Sequence, residues 1–248
     1  MRLSNSFMVG AGNFFFRYRA YMFPVIFIVM LFVFRPQVII NEPVHDWVIR
    51  LGLGVTLLGE GLRFFTIGFD YIERGGKGGK VYASRLVTGG IYNHVRNPMY
   101  LGNILIAVGI GLYGGAPLAF VTVLPFFVFF YYAIMATEEK FLYGKFGKEY
   151  EAFCRRTRRL CPSFVNIGQT LSGFSFHWWR ALIKDSGTAF WTFVALALIP
   201  LWREYFLHGT TVGESVYAPY AAGIVAVLLP MYLGLRILKK KGSIDISS

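Results

Sequence analysis

Acidic side chains are scarce in this chain: 13 Asp and Glu stand against 25 Lys and Arg, leaving a formal net charge of +12. A soluble protein with that excess would point to nucleic acid, but such binding needs a soluble basic face. None is offered here, because 55% of the residues are hydrophobic and the basic ones gather in short loops; nucleic acid is therefore not expected as a partner. Cysteine is rarer still. Cys154 and Cys161 fit no zinc spacing and have no histidine nearby, so no metal site is expected and both read as plain thiols. Also missing is a small-residue cleavage site after the first apolar run, so no signal peptide is expected. The chain lacks an internal repeat, which argues against a secondary transporter.

What the chain has in abundance is apolar sequence. A membrane protein reconciles a high apolar fraction with a basic balance, since lipid takes the apolar side chains and the cytosolic loops take Lys and Arg. Spanning helices need roughly 20 apolar residues, and six runs qualify: about Ala20 to Ile40, Val48 to Phe69, Met99 to Tyr113, Pro117 to Thr137, Thr188 to Leu207 and Tyr217 to Leu238. The third is short, and Gly114-Gly115-Ala116 joins it to the fourth as a hairpin. Arg17 and Arg19 precede the first run. Arg74, Lys77, Lys80, Arg85 and Arg96 lie between the second and third. Lys140 through Arg159 follow the fourth, and Lys239, Lys240 and Lys241 follow the sixth. The alternate loops carry little more than Arg35, Arg50 and Arg203. The expectation is an all-α, multi-pass integral membrane protein of about six helices with both termini cytosolic, in a bacterial inner membrane or the endoplasmic reticulum. Its cytosolic basic residues would meet membrane lipids, anionic ones at that face.

Four parts are expected. Residues 1–50 form a cytosolic arm and the first helix, 51–162 a core, 163–187 an interfacial segment, and 188–248 the last two helices with a basic tail. Gly75 to Lys80 reads as a flexible linker; it lacks the strand and the Ser/Thr of a phosphate loop. Phe164 to Lys184, with Phe174, Phe176, Trp178, Trp179 and Leu182, suits the headgroup layer or an ordinary aromatic linker.

Ionisable residues inside a membrane are costly and so mark candidate sites. Glu60 and Arg63, three apart on the second helix, share a face and could pair, either as a functional site or as an ion pair fixing helix packing. Gly59 and Gly61 flank Glu60, and small residues let a helix or a ligand approach the backbone closely. Glu138 and Glu139 are read as ending the fourth helix, where negative charge is disfavoured and a cationic partner is wanted. Being adjacent, they point about 100° apart and cannot face one pocket together. The densest stretch is Ser84 to Gly102 (SRLVTGGIYNHVRNPMYLG). Gly89-Gly90 make a turn, Tyr92 and His94 follow, and Pro98 suits the first turn of the third helix. The free N–H groups at that helix start could receive a carboxylate or a hydroxyl. His94 taken alone reads as a hydrogen-bonding residue. These features describe a polar, ligand-ready pocket at the cytosolic face without naming its ligand.

Order and spacing over roughly Leu51 to Pro162 resemble the isoprenylcysteine carboxyl methyltransferase and phospholipid methyltransferase superfamily. The resemblance rests on Leu86-Val87-Thr88-Gly89-Gly90-Ile91-Tyr92, then Arg96-Asn97-Pro98-Met99-Tyr100-Leu101-Gly102, then Glu138-Glu139. Phe146-Gly147-Lys148-Glu149-Tyr150 and a basic run to Pro162 complete it. Gly59, Gly61 and Arg63 resemble an upstream glycine motif and its arginine. The resemblance implies a methyltransferase core of helices two to four and S-adenosylmethionine in a cytosolic pocket. Its implied binding residues are Ser84, Arg85, Leu86, Val87, Tyr92, Arg96, Asn97, Pro98, Met99, Tyr100 and a carboxylate of Glu138 or Glu139, with Gly59 and Gly61 nearby. Glu139 would meet the cofactor's amino group, and Tyr92 and Tyr100 would flank the adenine or the sulfonium. Arg63, Glu60 and His94 are the candidates beside the reaction. A lipid or lipophilic substrate would enter laterally from the bilayer.

The chain departs from the superfamily in two places. Asn97 stands where the superfamily usually has a histidine, a departure shared by the phosphatidylethanolamine methyltransferases it resembles, which also carry Asn-Pro, and Ala133 to Thr137 lacks the arginine that prenylcysteine enzymes carry before the Glu pair. Both favour a lipid amine or another small nucleophile over a prenylcysteine carboxylate. A sterol-reductase-like enzyme using a nicotinamide cofactor would want more phosphate-gripping Arg and Lys in the pocket than Ser84 to Gly102 supplies. A non-enzymatic lipid-binding scaffold would bind no cofactor and tolerate substitution at Glu139. The last two helices, outside the resemblance, either widen a lipid-facing cleft or form an oligomer contact.

Overall fold

Among the residues that the computed structural model describes (6–69, 81–173 and 175–241), all regular structure is helical. In chain order these are α1 (Ser6–Val33), α2 (Glu42–Phe69), a 3₁₀ turn (Gly90–Asn93), α3 (Pro98–Gly114), α4 (Pro117–Arg156), α5 (Ile167–Ser172), α6 (Trp178–His208) and α7 (Ala218–Lys241). Three of them, α4, α6 and α7, are long and apolar enough to cross a membrane, and α3 is a shorter apolar helix. The outward face of α7 carries Tyr220, Ile224, Val227, Met231, Leu233 and Ile237, all exposed. An apolar surface that extensive suits lipid or a second protein surface; with three helices of spanning length, the chain is an all-α membrane protein.

Several boundaries move from those the sequence suggests. The first helix starts at Ser6 and stops at Val33 rather than running from about Ala20 to Ile40. Pro36 lacks an N–H and disfavours helical backbone at Arg35, so the chain leaves the helix before the apolar run ends. The second begins at Glu42, where the Val44 N–H donates to the Asn41 side chain at 3.0 Å and caps it. The fourth continues past Thr137 to Arg156, interrupted only at Gly147, which sits at φ 49°. Lys, Glu, Leu and aromatic residues without proline sustain it. Glu138 and Glu139 are therefore mid-helix residues, not a C-terminus. The paired tryptophans of the expected interfacial segment open α6 itself, leaving only α5 as a separate piece. The Gly75–Lys80 linker, Arg74 and Phe174 lie outside the described residues.

Two helix pairs organise the bundle: α2 with α3 and α1 with α4, with α6 packed on α2 and on α7. The first is a backbone-to-backbone seam. A methyl on Gly59 would lie 2.7 Å from the Gly102 carbonyl oxygen, one on Gly102 2.8 Å from that of Gly59, and one on Gly109 2.7 Å from that of Gly52. No Cβ fits there, which is how small residues draw membrane helices together. The hairpin to α4 turns at Gly115, left-handed at φ 63°, whose carbonyl accepts from the Gln37 N–H at 2.9 Å. At the opposite end, the Arg180 guanidinium donates to the Ile67 and Gly68 carbonyls at 2.9 and 2.8 Å. It thereby supplies the last carbonyls of α2 with a cationic partner.

Candidate functional site

The loop before α3, the start of α3, the middle of α4 and the segment after α4 converge at one end of the bundle. The Arg96 and Asn97 N–H groups donate to the Arg158 and Arg159 carbonyls at 2.9 and 3.2 Å, and the Ser163 N–H donates to His94 at 3.0 Å. Those bonds fold the basic run back over the α3 start. Pro98 occupies the first helical turn, and Asn97, at the N-cap, makes no side-chain cap bond; it points instead to the Arg159 carbonyl at 3.4 Å.

Glu138 and Glu139 part company as adjacent helical residues must. The Tyr100 hydroxyl donates to Glu138 at 2.6 Å, joining α3 to α4. Glu139 takes two guanidinium groups. Arg96 donates to its Oε1 at 3.1 Å, and Arg159 donates to Oε1 at 3.0 Å and to Oε2 as well. Arg96 also donates to the Thr157 carbonyl at 2.9 Å and the Cys154 carbonyl at 3.2 Å. The cationic partner expected for the Glu pair is thus found within the chain. Burial works to lower the Arg159 pKa, but the Glu139 carboxylate, with Tyr132 and Tyr150 nearby, outweighs it and holds the guanidinium above its ordinary value.

His94 is buried, with Nδ1 2.7 Å from the Ser163 carbonyl. A carbonyl can only accept, so Nδ1 carries the hydrogen and Nε2 is left as an acceptor. No partner reaches that nitrogen. Tyr92 and Val87 lie in a closed cluster with Ala83, Leu142, Tyr150 and Phe153, with Leu86 packed against it. Burial pushes up the Tyr150 hydroxyl inside this cluster and the Cys154 thiol at its edge. Ser84 and Arg85 are exposed on the strip that enters this cluster, and Met99 is half-buried. Tyr100 packs on Tyr131, ring centres 5.6 Å apart.

One turn deeper along α3 lies a second polar group. Arg63 and Glu60 do share a face of α2, but they do not hydrogen-bond. Arg63 donates to Asn103 of α3 at 2.5 Å, to Thr188 of α6 at 3.0 Å and to Asp185 of α6. Glu60, 6% exposed, has neither carboxylate oxygen hydrogen-bonded. The approach that Gly59 permits is that of a helix, α3, whereas a methyl on Gly61 would meet nothing. Sequence reasoning missed Asp185, Asn103, Thr188 and Arg159. Asp185 had a signal, an acid a few residues inside an apolar helix, but it lay in the stretch read as interfacial. Among the described residues no cluster of His, Cys, Asp and Glu could hold a metal ion.

Residues 49–149 match the phospholipid methyltransferase family model, in agreement with the superfamily that the motifs resemble. The matched stretch covers α2 from Ile49 onward, the 3₁₀ turn, α3 and α4 as far as Glu149, including the Glu pair. No curated protein and no solved structure matches the chain.

Proposed function

We propose that the protein is a membrane methyltransferase that uses S-adenosylmethionine to methylate a lipid or lipophilic nucleophile, with a lipid amine favoured. The observation that carries this reading is the coincidence of the matched stretch with the polar end of the bundle, where Tyr92, Asn97, Tyr100, Glu138 and Glu139 gather. The residues suit the cofactor. The α3 start, uncapped by any side chain, offers N–H groups to its carboxylate. The buried, unpartnered His94 Nε2 would accept from an amine or ribose hydroxyl that reached it. One carboxylate of the Glu138–Glu139 pair offers charge to the cofactor's amino group, Ser84 to Val87 and Tyr92 a wall, and Gly61 room on α2. Bound there, the cofactor supplies a sulfonium-activated methyl group. The protein's work is then alignment and exclusion of water, more than strong base catalysis. Arg96 and Arg159 hold the Glu139 carboxylate in place, Tyr100 holds that of Glu138, and the Arg158–Ser163 backbone covers the α3 start.

The same reading puts this end of the bundle in the cytosol, with six spanning helices, cytosolic termini and anionic lipids at the basic loops. The expected departures at Asn97 and at Ala133 to Thr137 support the amine over a prenylcysteine carboxylate. Calorimetric titration of detergent-purified protein with S-adenosylhomocysteine tests it. Saturable binding weakened at least tenfold by Glu138→Gln or Tyr100→Phe supports the reading, and absence of binding by folded wild-type protein ends it.

A further inference from the structure

Glu60 is an anomaly that the proposed cofactor pocket leaves unused. It is a carboxylate 6% exposed, within the bundle, whose two oxygens are both unpartnered. Its surroundings are Asp185, Arg63 and Thr192. Asp185 is 1% exposed, and although one of its oxygens accepts from Arg63, Oδ2 has no partner. With both carboxylates ionised, this pair and its one guanidinium would carry a net charge of −1 in this interior. A buried charge with nothing to oppose it is costly, so the cluster calls for a cation.

The donor set decides which. Ca²⁺ or Mg²⁺ asks for six or more oxygen ligands and Zn²⁺ for four ligands, mostly His or Cys, whereas Glu60, the free oxygen of Asp185 and the Thr192 hydroxyl are what this interior offers. An ammonium group asks for three acceptors, which is what this trio supplies. The cluster also lies where an acceptor group would need to be. Asn103, the Arg63 partner, is one turn of α3 from Tyr100, about 5 Å along the axis. Gly61 and Gly187, the latter two residues beyond Asp185, are half-buried, and a methyl on either would meet no neighbour, so approach along α2 and α6 is not crowded at those points.

We propose that Glu60 of α2 and Asp185 of α6, with Thr192, form the seat for the positively charged nitrogen of the acceptor, an ammonium-bearing lipid headgroup. Asp185 and Thr192 come from a helix outside the matched stretch, which gives α6 a part in choosing the substrate. The seat rests on the methyltransferase reading only for its place in a reaction. There, a nitrogen must shed a proton before it can act as a nucleophile. One N–H bond breaks with its electron pair left on nitrogen, and the proton passes to a carboxylate of the seat.

The test is headgroup binding by the detergent-purified full chain. Short-chain phosphatidylethanolamine, phosphatidylglycerol and phosphatidylcholine are titrated beside S-adenosylhomocysteine. Wild-type protein is expected to prefer the ethanolamine lipid at least tenfold over the glycerol lipid, and over choline, which has no N–H donors. Glu60→Gln, near-isosteric and orphaning no partner, should erase that preference while leaving S-adenosylhomocysteine binding unchanged. Asp185→Asn should weaken the preference and, because it also loosens Arg63, is read only if it melts as a folded protein. An unaltered preference in Glu60→Gln, or no preference in wild type, overturns the seat even where S-adenosylhomocysteine binds. A preference lost in Glu60→Gln without any S-adenosylhomocysteine binding upholds the seat and sinks the methyltransferase reading instead.

Discussion

Replacing Glu139 with glutamine tests the two-arginine clamp most directly. The carboxylate is 6% exposed, and its partners differ: the Arg96 side chain is 12% exposed and that of Arg159 34%. Breaking a buried pair from one side costs about 3–5 kcal/mol when the surviving charge is stranded. Arg96 is not stranded, because the Cys154 and Thr157 carbonyls still accept from it. Glutamine also keeps one carbonyl oxygen for it. The loss is then nearer that of one charge-assisted hydrogen bond, about 2 kcal/mol. Arg159 can turn to water, so its share is at most about 1 kcal/mol. The total is about 2–3 kcal/mol, and at about 2–4 °C per kcal/mol for a chain of this size the melting temperature should fall by roughly 4–12 °C. Thermal melts in detergent of Glu139→Gln, Arg96→Gln, Arg159→Gln and the two double variants give the coupling energies. Coupling to Arg96 should exceed coupling to Arg159. A melt within 1 °C of wild type, or the reverse order of couplings, would refute the account of Glu139 as a buried, clamped charge.

Gly59→Leu should separate α2 from α3 and cost about 3 kcal/mol or more by overpacking, whereas Gly61→Ala should leave the melt within about 1 °C, since its Cβ meets nothing. A maleimide should label exposed Cys161 rapidly and Cys154 slowly, because Cys154 is half-buried and burial raises its thiol pKa; mass spectrometry of the labelled peptides reads the order, and equal rates would contradict it. Arg180→Gln should release the end of α2, so that the His177 amide, which donates to Gly68 at 3.0 Å, exchanges faster with deuterium. Unchanged exchange at His177 would show that the guanidinium does not hold that junction.

Much of the architecture was legible because apolar length and proline placement act locally. Pro98 and Gly115 bound α3 as their backbone preferences require, and Gly59 announced a close approach. What failed was the reading of helices beyond their apolar runs. No proline lies in Lys140 to Arg156, so α4 continues past the Glu pair and across its kink at Gly147, and Trp178 opens α6 although it looks interfacial. The partners of charged residues were less legible still. Glu60 and Arg63 are near neighbours in sequence, yet Arg63 turns to Asp185, far along the chain. Glu139 meets Arg159 because the backbone after α4 folds over α3. Such pairings are set by tertiary packing, which spacing along one helix does not encode. His94 was rightly a hydrogen-bonding residue, but only the fold reveals that one ring nitrogen is spent on Ser163 and the other is open.

The acceptors of Arg63 are drawn from α3 and α6, and two of the three, Asp185 and Thr188, lie beyond residue 149. The matched stretch is therefore not a cassette. Moved into another scaffold, or severed from α6, it would carry a guanidinium whose counterion had been left behind. Grafting would have to transfer α2 and α6 together, so that Arg63 arrives with the acceptors that fix it.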